Sequence, residues 1–322
     1  MEKIKLLQEK FSSFMESVAF DYRPKELYAP ITYTLFQKGK RLRPMLCLLG
    51  CDLFGGPLEE ALYPALALET FHNSTLIHDD IMDQAPLRRG METVYKKWNT
   101  NMAILSGDTM LDLAYDFVLR TPRSSETVRL LTRVHREVCE GQQYDMDFET
   151  QSVVTIPEYL EMIRLKTAVL LATSIQMGAV VAGADEKCQR ALYDFGIAIG
   201  MAFQLQDDVL DCYGDETVFG KKTGGDIVEN KKTYLFLKAL ELASPDQRKR
   251  LMEWYSTTPE STFEKIQAVK GCFDELHVKE AVEQVIEDYY RQSDELLDAV
   301  VAPDERKLLL RDYTRMLLGR KH

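Results

Sequence analysis

Apolar residues recur at three- and four-residue intervals along nearly the whole chain, the period of helices laid against a core rather than the alternation of strands. Leu58 to Asp83 carries Leu62, Leu66, Glu69 and His72 at such intervals and predicts a helix. Asn101–Leu119 predicts another. Pro157 opens a third, with Thr155 placed to cap its first amides and Glu158 in its first turn. Asp185 caps a fourth running to about Tyr213, and Asp274–Val301 and Pro303–Leu318 continue the pattern. Val180–Val181, inside an otherwise helical stretch, is the nearest thing to a strand signal. Turn chemistry gathers at Gly55-Gly56-Pro57, Pro122-Arg123-Ser124-Ser125 and Gly214–Gly225. No linker rich in Gly, Ser or Pro divides the 322 residues, so the expectation is an all-α protein in one domain, residues 1–322.

Two stretches of this helical pattern end in the same acidic motif. Asp79-Asp80-Ile81-Met82-Asp83 and Asp207-Asp208-Val209-Leu210-Asp211 each place the first and last aspartate one turn apart on one face. Like charges at that spacing repel, and the C-terminal end of a helix disfavours anions. A cation must offset both costs. Hard carboxylate oxygens select Mg²⁺, which keeps several waters and bridges to substrate phosphates.

Basic residues flank the acidic motifs. Gly39-Lys40-Arg41-Leu42-Arg43-Pro44 precedes the first, Arg88-Arg89-Gly90 follows it, and Lys221-Lys222 and Lys231-Lys232 follow the second. Guanidinium forks match phosphate oxygens, although such cations could also form surface ion pairs of little worth. Lys166-Thr167 lies among Leu165, Ala168, Val169, Leu170 and Leu171, and Gln204 sits one turn before Asp207 and Asp208; polar groups so placed need partners. Gly196, Gly200, Gln204 and Asp208 share one face, which leaves either room for a ligand along the helix or close helix packing.

Charge narrows the partners. A formal net charge of -11 repels nucleic acid, and it would repel phosphorylated small molecules too unless cations or metal ions gather at the site. No run of about 18 apolar residues occurs, so no membrane span is expected, and MEKIKLLQEKF lacks the apolar block of a signal peptide. A cytoplasmic location is the default. The scattered cysteines, Cys47, Cys51, Cys139, Cys188, Cys212 and Cys272, are expected to be reduced core thiols.

Taken in order, GKRLRP at 39–44, LIHDDIMD at 76–83, RRG at 88–90, KT at 166–167, QLQDDVLD at 204–211 and GK at 220–221 resemble the trans-isoprenyl diphosphate synthase family over nearly the whole chain. The resemblance implies helices around a central cavity, a homodimer, and head-to-tail condensation of isopentenyl diphosphate with allylic diphosphates. It implies Mg²⁺, three ions in the family, with Mn²⁺ as a substitute. By position, Asp79, Asp83 and Asp207 match the metal ligands, supported by Asp80, Asp208 and Asp211. Arg88, Lys166, Thr167, Gln204, Lys221 and Lys231 match the allylic diphosphate site, with Lys166, Thr167 and Gln204 beside the reacting carbon. Gly39, Lys40, Arg43, His72 and Arg89 match the isopentenyl diphosphate site, whereas His78 is expected only to pack. Asn230-Lys231 stands where the family often has Gly-Lys, and the first motif lacks the longer form of many bacterial short-chain enzymes.

The growing chain is expected to run from Asp79 down its helix. Ser74 and Thr75, one turn below, are small and should not stop it. Phe71, about 12 Å below at ~1.5 Å per residue, with Tyr115 beside it, would form a floor that gives about fifteen to twenty carbons, twenty slightly favoured. The alternatives are a longer-chain synthase, a class I terpene cyclase, against which the doubled motif speaks, or a non-catalytic partner subunit, which should have lost one motif.

Overall fold

The computed structural model describes residues 2–20, 22–214, 223–256 and 261–318. Helices dominate: α1 (Glu2–Ser17), α2 (Lys25–Leu35), α3 (Leu42–Leu53), α4 (Leu58–Met82), α5 (Val94–Lys97), α6 (Thr100–Val118), α7 (Ser124–Thr150), α8 (Ile156–Ile163), a π-turn (Arg164–Ala168), α9 (Val169–Val181), α10 (Glu186–Tyr213), α11 (Gly225–Val228), α12 (Tyr234–Leu242), α13 (Pro245–Ser256), α14 (Thr262–Glu275), α15 (Val278–Asp298) and α16 (Asp304–Leu318). The helices read from the sequence lie within a few residues of these bounds. At α8 the expected box is complete: Glu158 N donates to Thr155 Oγ1, and Thr155 N donates to Glu158 Oε2 at 2.8 Å.

Val180–Val181 is helical, and among the described residues the only strands are β1 (Leu87–Arg88) and β2 (Met91–Glu92), an antiparallel hairpin. Ile156–Val181 runs as one 26-residue helical stretch, matching the helix expected from Pro157 to Val181, but it is long and apolar enough by composition to cross a membrane (mean hydropathy 1.2), where no such run was expected. Its most apolar window is 83% buried within the protein, so that apolar surface is used for packing.

The chain forms two compact units, each assembled from three segments. The first comprises Met1–Arg133, Thr173–Tyr193 and Val300–Leu310. In it α1 buries Ile4, Leu7, Phe11 and Met15 at helical spacing, and α3 and α4 supply Leu46, Leu49, Leu62 and Leu66. Each such side chain contributes about 1.5–3 kcal/mol on burial. Gly50 and Gly178 let α3 and α9 touch backbone to backbone: a Cβ at Gly178 would stand 1.9 Å from the Cys47 carbonyl oxygen.

The second unit comprises Val134–Ala172, Asp194–Ala299 and Arg311–His322, around a core that includes Phe148, Met162, Leu205, Phe236 and Phe273. Here the open question about Gly196 and Gly200 resolves as close packing. Added Cβ atoms would meet Ala172 Cα at 2.4 Å and Ala168 Cα at 2.5 Å, so the glycines hold α10 against its neighbour and leave no ligand space. All six cysteines are free thiols, and Cys139, expected in the core, is exposed.

Candidate active site

The first unit carries the first acidic motif at the end of α4. Asp83 is the C-cap, and its amide donates to the Asp79 carbonyl at 2.8 Å. Asp80 turns inward and is 4% exposed. Its Oδ1 accepts from Arg88 Nε at 2.7 Å, and burial raises its pKa against the pull of Arg88. Arg88 therefore braces Asp80 as well as standing beside the motif. The chain then turns through the hairpin, where Arg89 (φ 54) and Gly90 (φ 76) form a two-residue link of the I′ kind. Arginine at positive φ is strained by about 1 kcal/mol or more. That turn lays the Arg89 guanidinium against Gly39, where an added Cβ would sit 3.0 Å from Nη1.

Gly39, Arg43, His72, Arg88 and Arg89 thus gather near one another. Burial first, and then Arg43, Arg89, Arg88 and Arg41 in that order, push the His72 pKa well below 6.5, so its ring is neutral. Burial lowers the Arg43 pKa to about 10, and its Nε is buried with no hydrogen-bond partner among the described residues. Lys40 is exposed on the loop before α3. Arg41, unassigned from sequence, holds a structural place: Nη1 meets Glu69 Oε1 at 2.6 Å, and Nη2 donates to the Leu35 and Gln37 carbonyls. His78 packs as expected, against Gly107. Phe71 is 1% exposed; Ser74 and Thr75 return hydrogen bonds to the carbonyls of Phe71 and His72; Tyr115 Oη donates to Thr132 Oγ1 at 3.3 Å.

The second unit carries the second motif at the end of α10. Lys166 and Thr167 fall in the π-turn, a distortion frequent at functional sites. α7 approaches it closely at Gly141, where an added Cβ would be 2.3 Å from Lys166 N. Lys166 Nζ pairs with Asp145 at 2.5 Å. Thr167 Oγ1 donates to Gln204 Oε1 at 2.9 Å, and Gln204 Nε2 donates to Asp208 Oδ1 at 3.1 Å. Asp208 also accepts from the buried Tyr159 hydroxyl, and burial followed by Asp226 raises its pKa well above the usual carboxylate range. Asp211 Oδ2 accepts from Asp226 N at 3.0 Å.

Asp226, Asp145 and Tyr159 belong to this network and were not singled out from sequence. Burial, then Asp211, lifts Asp226 to about 7. Lys231 Nζ lies 3.3 Å from Glu229, while Lys232 turns away to the Phe148 carbonyl and is structural. Lys221 lies outside the described residues. Asn230 sits at φ 58, which explains its place where the family often has glycine, since asparagine tolerates the left-handed region best among the other residues.

Among the described residues no three His, Cys, Asp or Glu side chains gather into a metal site. The donor set still suits magnesium, which takes one or two carboxylates and completes its shell with water and phosphate oxygens. Asp79 and Asp83, and Asp207 and Asp211, offer hard oxygens of that kind one turn apart, while Asp80 and Asp208 are engaged by protein donors.

Comparison with known proteins agrees. The polyprenyl synthetase family profile matches residues 24–274. The geranylgeranyl diphosphate synthase of Methanosarcina mazei is 38% identical over 299 residues, 90% of each chain. A short chain isoprenyl diphosphate synthase of Methanocaldococcus jannaschii is 44% identical over 231 residues, 71% of this chain and 70% of its own. A crystal structure of a geranylgeranyl pyrophosphate synthase superposes with a TM-score of 0.94 at 44% identity, covering 99% of both chains. That of the Corynebacterium glutamicum geranylgeranyl pyrophosphate synthase, complexed with isoprenyl diphosphate and magnesium, gives 0.85 at 27% identity over 99% of this chain and 98% of its own. The chain belongs to the polyprenyl synthetase family and is a prenyltransferase.

Proposed function

We propose that the enzyme condenses isopentenyl diphosphate head-to-tail with allylic diphosphates in the presence of Mg²⁺, releasing diphosphate and a trans-prenyl diphosphate of twenty carbons. One observation carries most of this reading. The buried Arg43 Nε, with no hydrogen-bond partner among the described residues, stands in a cationic cluster with Arg88, Arg89 and His72, the arrangement a substrate diphosphate would complete. The names of the relatives support the product length. The profile match runs through segments of both compact units, which supports one catalytic domain.

In this reading Gly39, Lys40, Arg43, His72 and Arg89 hold isopentenyl diphosphate. Neutral His72 donates one hydrogen bond without adding charge. Arg88, Lys166, Lys221 and Lys231 hold the allylic diphosphate, and Asp79, Asp83 and Asp207 hold the ions. Magnesium, when bound, supplies the Lewis acid and template that favour departure of the allylic diphosphate. As the allylic C–O bond breaks, Thr167, Gln204 and the Lys166 carbonyl present oxygen dipoles toward the developing cation. The isopentenyl double bond attacks that carbon, and the proton then lost goes to the released diphosphate, so no protein base is required. Exposed Ile104, Leu105 and Leu119, on and just after α6, support a homodimer. Radiolabelled isopentenyl diphosphate with each allylic primer, products sized by chromatography, tests the reading. No chain extension with any primer would overturn it.

A further inference from the structure

Lys265 lies on α14 only 1% exposed, within the core that includes Val269, Cys272 and Phe273. An ammonium taken out of water is costly unless it is paired. Among the described residues no carboxylate lies within ion-pair distance of it. Its Nζ donates instead to Asn230 Oδ1 and, at 3.5 Å, to the Val228 carbonyl, and stands 5.7 Å from the centroid of the Tyr255 ring.

Both acceptors close the end of α11. Asn230 is the left-handed residue that ends this turn, and Lys231 N donates to the Asp226 carbonyl at 2.9 Å across it. The other end is tied to α10, where the Asp211 carbonyl accepts from Gly224 N at 2.6 Å and its side chain accepts from Asp226 N. Gly224 (φ 83) in turn lies against Ile266, the neighbour of Lys265, where a Cβ would come within 2.9 Å. The turn that presents Asp226 and Lys231 is therefore clamped at both ends by α14, and Lys265 is the polar half of the clamp.

We propose that Lys265 is a positioning residue for the allylic side of the site. Its buried ammonium binds the Val228 carbonyl and Asn230, and so holds the turn that aims Lys231 at the allylic diphosphate beside the second acidic motif. The proposal rests on the prenyltransfer reading above. A misplacement near 1 Å costs up to about a hundredfold in a positioned site.

The test uses the full chain with Lys265→Met, which keeps the volume, and Asn230→Gly, which keeps the left-handed backbone and removes the acceptor. Both should raise KM for the allylic diphosphate, and its Kd by calorimetry with Mg²⁺, by roughly tenfold. KM for isopentenyl diphosphate should stay within about twofold. Unchanged allylic KM and Kd in variants that melt cooperatively, or equal shifts for both substrates, would overturn the proposal. Should Lys265→Met fail to fold, Asn230→Gly decides alone. A wild-type chain that binds allylic diphosphate without condensing it would overturn the reaction but leave the Kd shift as the test; one that binds none overturns both.

Discussion

Replacing Arg41 by Ala should destabilise the first compact unit by about 4 kcal/mol, and the structure says why. Arg41 Nη1 meets Glu69 Oε1 at 2.6 Å, with side chains 14% and 3% exposed. Removing the guanidinium leaves a buried carboxylate whose remaining side-chain donor is Asn73 Nδ2 at 3.1 Å. Breaking a buried pair on one side costs about 3–5 kcal/mol, far more than the ~0–1 kcal/mol of an exposed pair such as Arg164–Glu161. The Leu35 and Gln37 carbonyls lose a donor too, and Leu35 is fully buried, which adds to the loss. Arg43, two residues on, makes the opposite case. Its buried Nε has no hydrogen-bond partner among the described residues, so Arg43→Met should change stability by less than about 1 kcal/mol while weakening isopentenyl diphosphate binding. The chain has two tryptophans, and Trp98 lies in the first unit and Trp254 in the second. Urea unfolding followed at Trp98 in a Trp254→Phe background therefore reports the first unit. With a slope near 2 kcal/mol per molar urea, Arg41→Ala should lower the midpoint by roughly 2 M. An Arg41→Ala midpoint close to wild type, or an equal loss in Arg43→Met, would refute this account.

Activity should vanish in chelator, and Asp79→Ala and Asp207→Ala should each slow turnover by orders of magnitude; full turnover in chelator would remove the metal from the mechanism. Arg89→Ala or Lys40→Ala should chiefly raise KM for isopentenyl diphosphate, and Lys221→Ala that for the allylic substrate, so one shared substrate profile would undo the division of cations. Because the folded pKa of His72 lies below the unfolded 6.5, its contribution to stability is full above about pH 6.5 and is lost as pH falls toward the lowered value. His72→Gln should then flatten the urea midpoint between about pH 7 and 5, and an unchanged slope would mean the ring is not held neutral. Phe71→Ala should lengthen the products seen by chromatography if this fully buried ring is the floor of the product channel, and unchanged lengths would place the stop deeper.

What was legible in the sequence was local. The capping box from Thr155 to Glu158 spans four residues, and its chemistry is written in those side chains. The helix from Leu58 and both acidic motifs follow from spacing alone. The hairpin did not, because its strands are two residues long and its turn puts an arginine, not the usual asparagine, at positive φ. The π-turn at Lys166 was equally hidden: no side-chain pattern announces an i→i+5 bond, and the close approach of Gly141 to its backbone comes from 25 residues away.

The same limit divides the site. The first motif reads as two ligands and a helper and the second as one ligand and two helpers, but the partners in the second unit lie far along the chain: Tyr159 is 49 residues from Asp208, and Asp145 is 21 from Lys166. Those partners engage the inner carboxylates. Arg88 occupies Asp80, Tyr159 and Gln204 occupy Asp208, and Asp226 N occupies one oxygen of Asp211. A buried carboxylate already bound by protein donors gains little by exchanging them for a cation that keeps its own water. Asp83 is the exposed member of the first motif, and Asp79, Asp207 and Asp211 are half-buried. The inner aspartates lock the helix ends so that the outer ones hold their direction. That engagement follows from burial and hydrogen bonding, and it is why substitutions at Asp80 and Asp208 should lower stability as well as turnover.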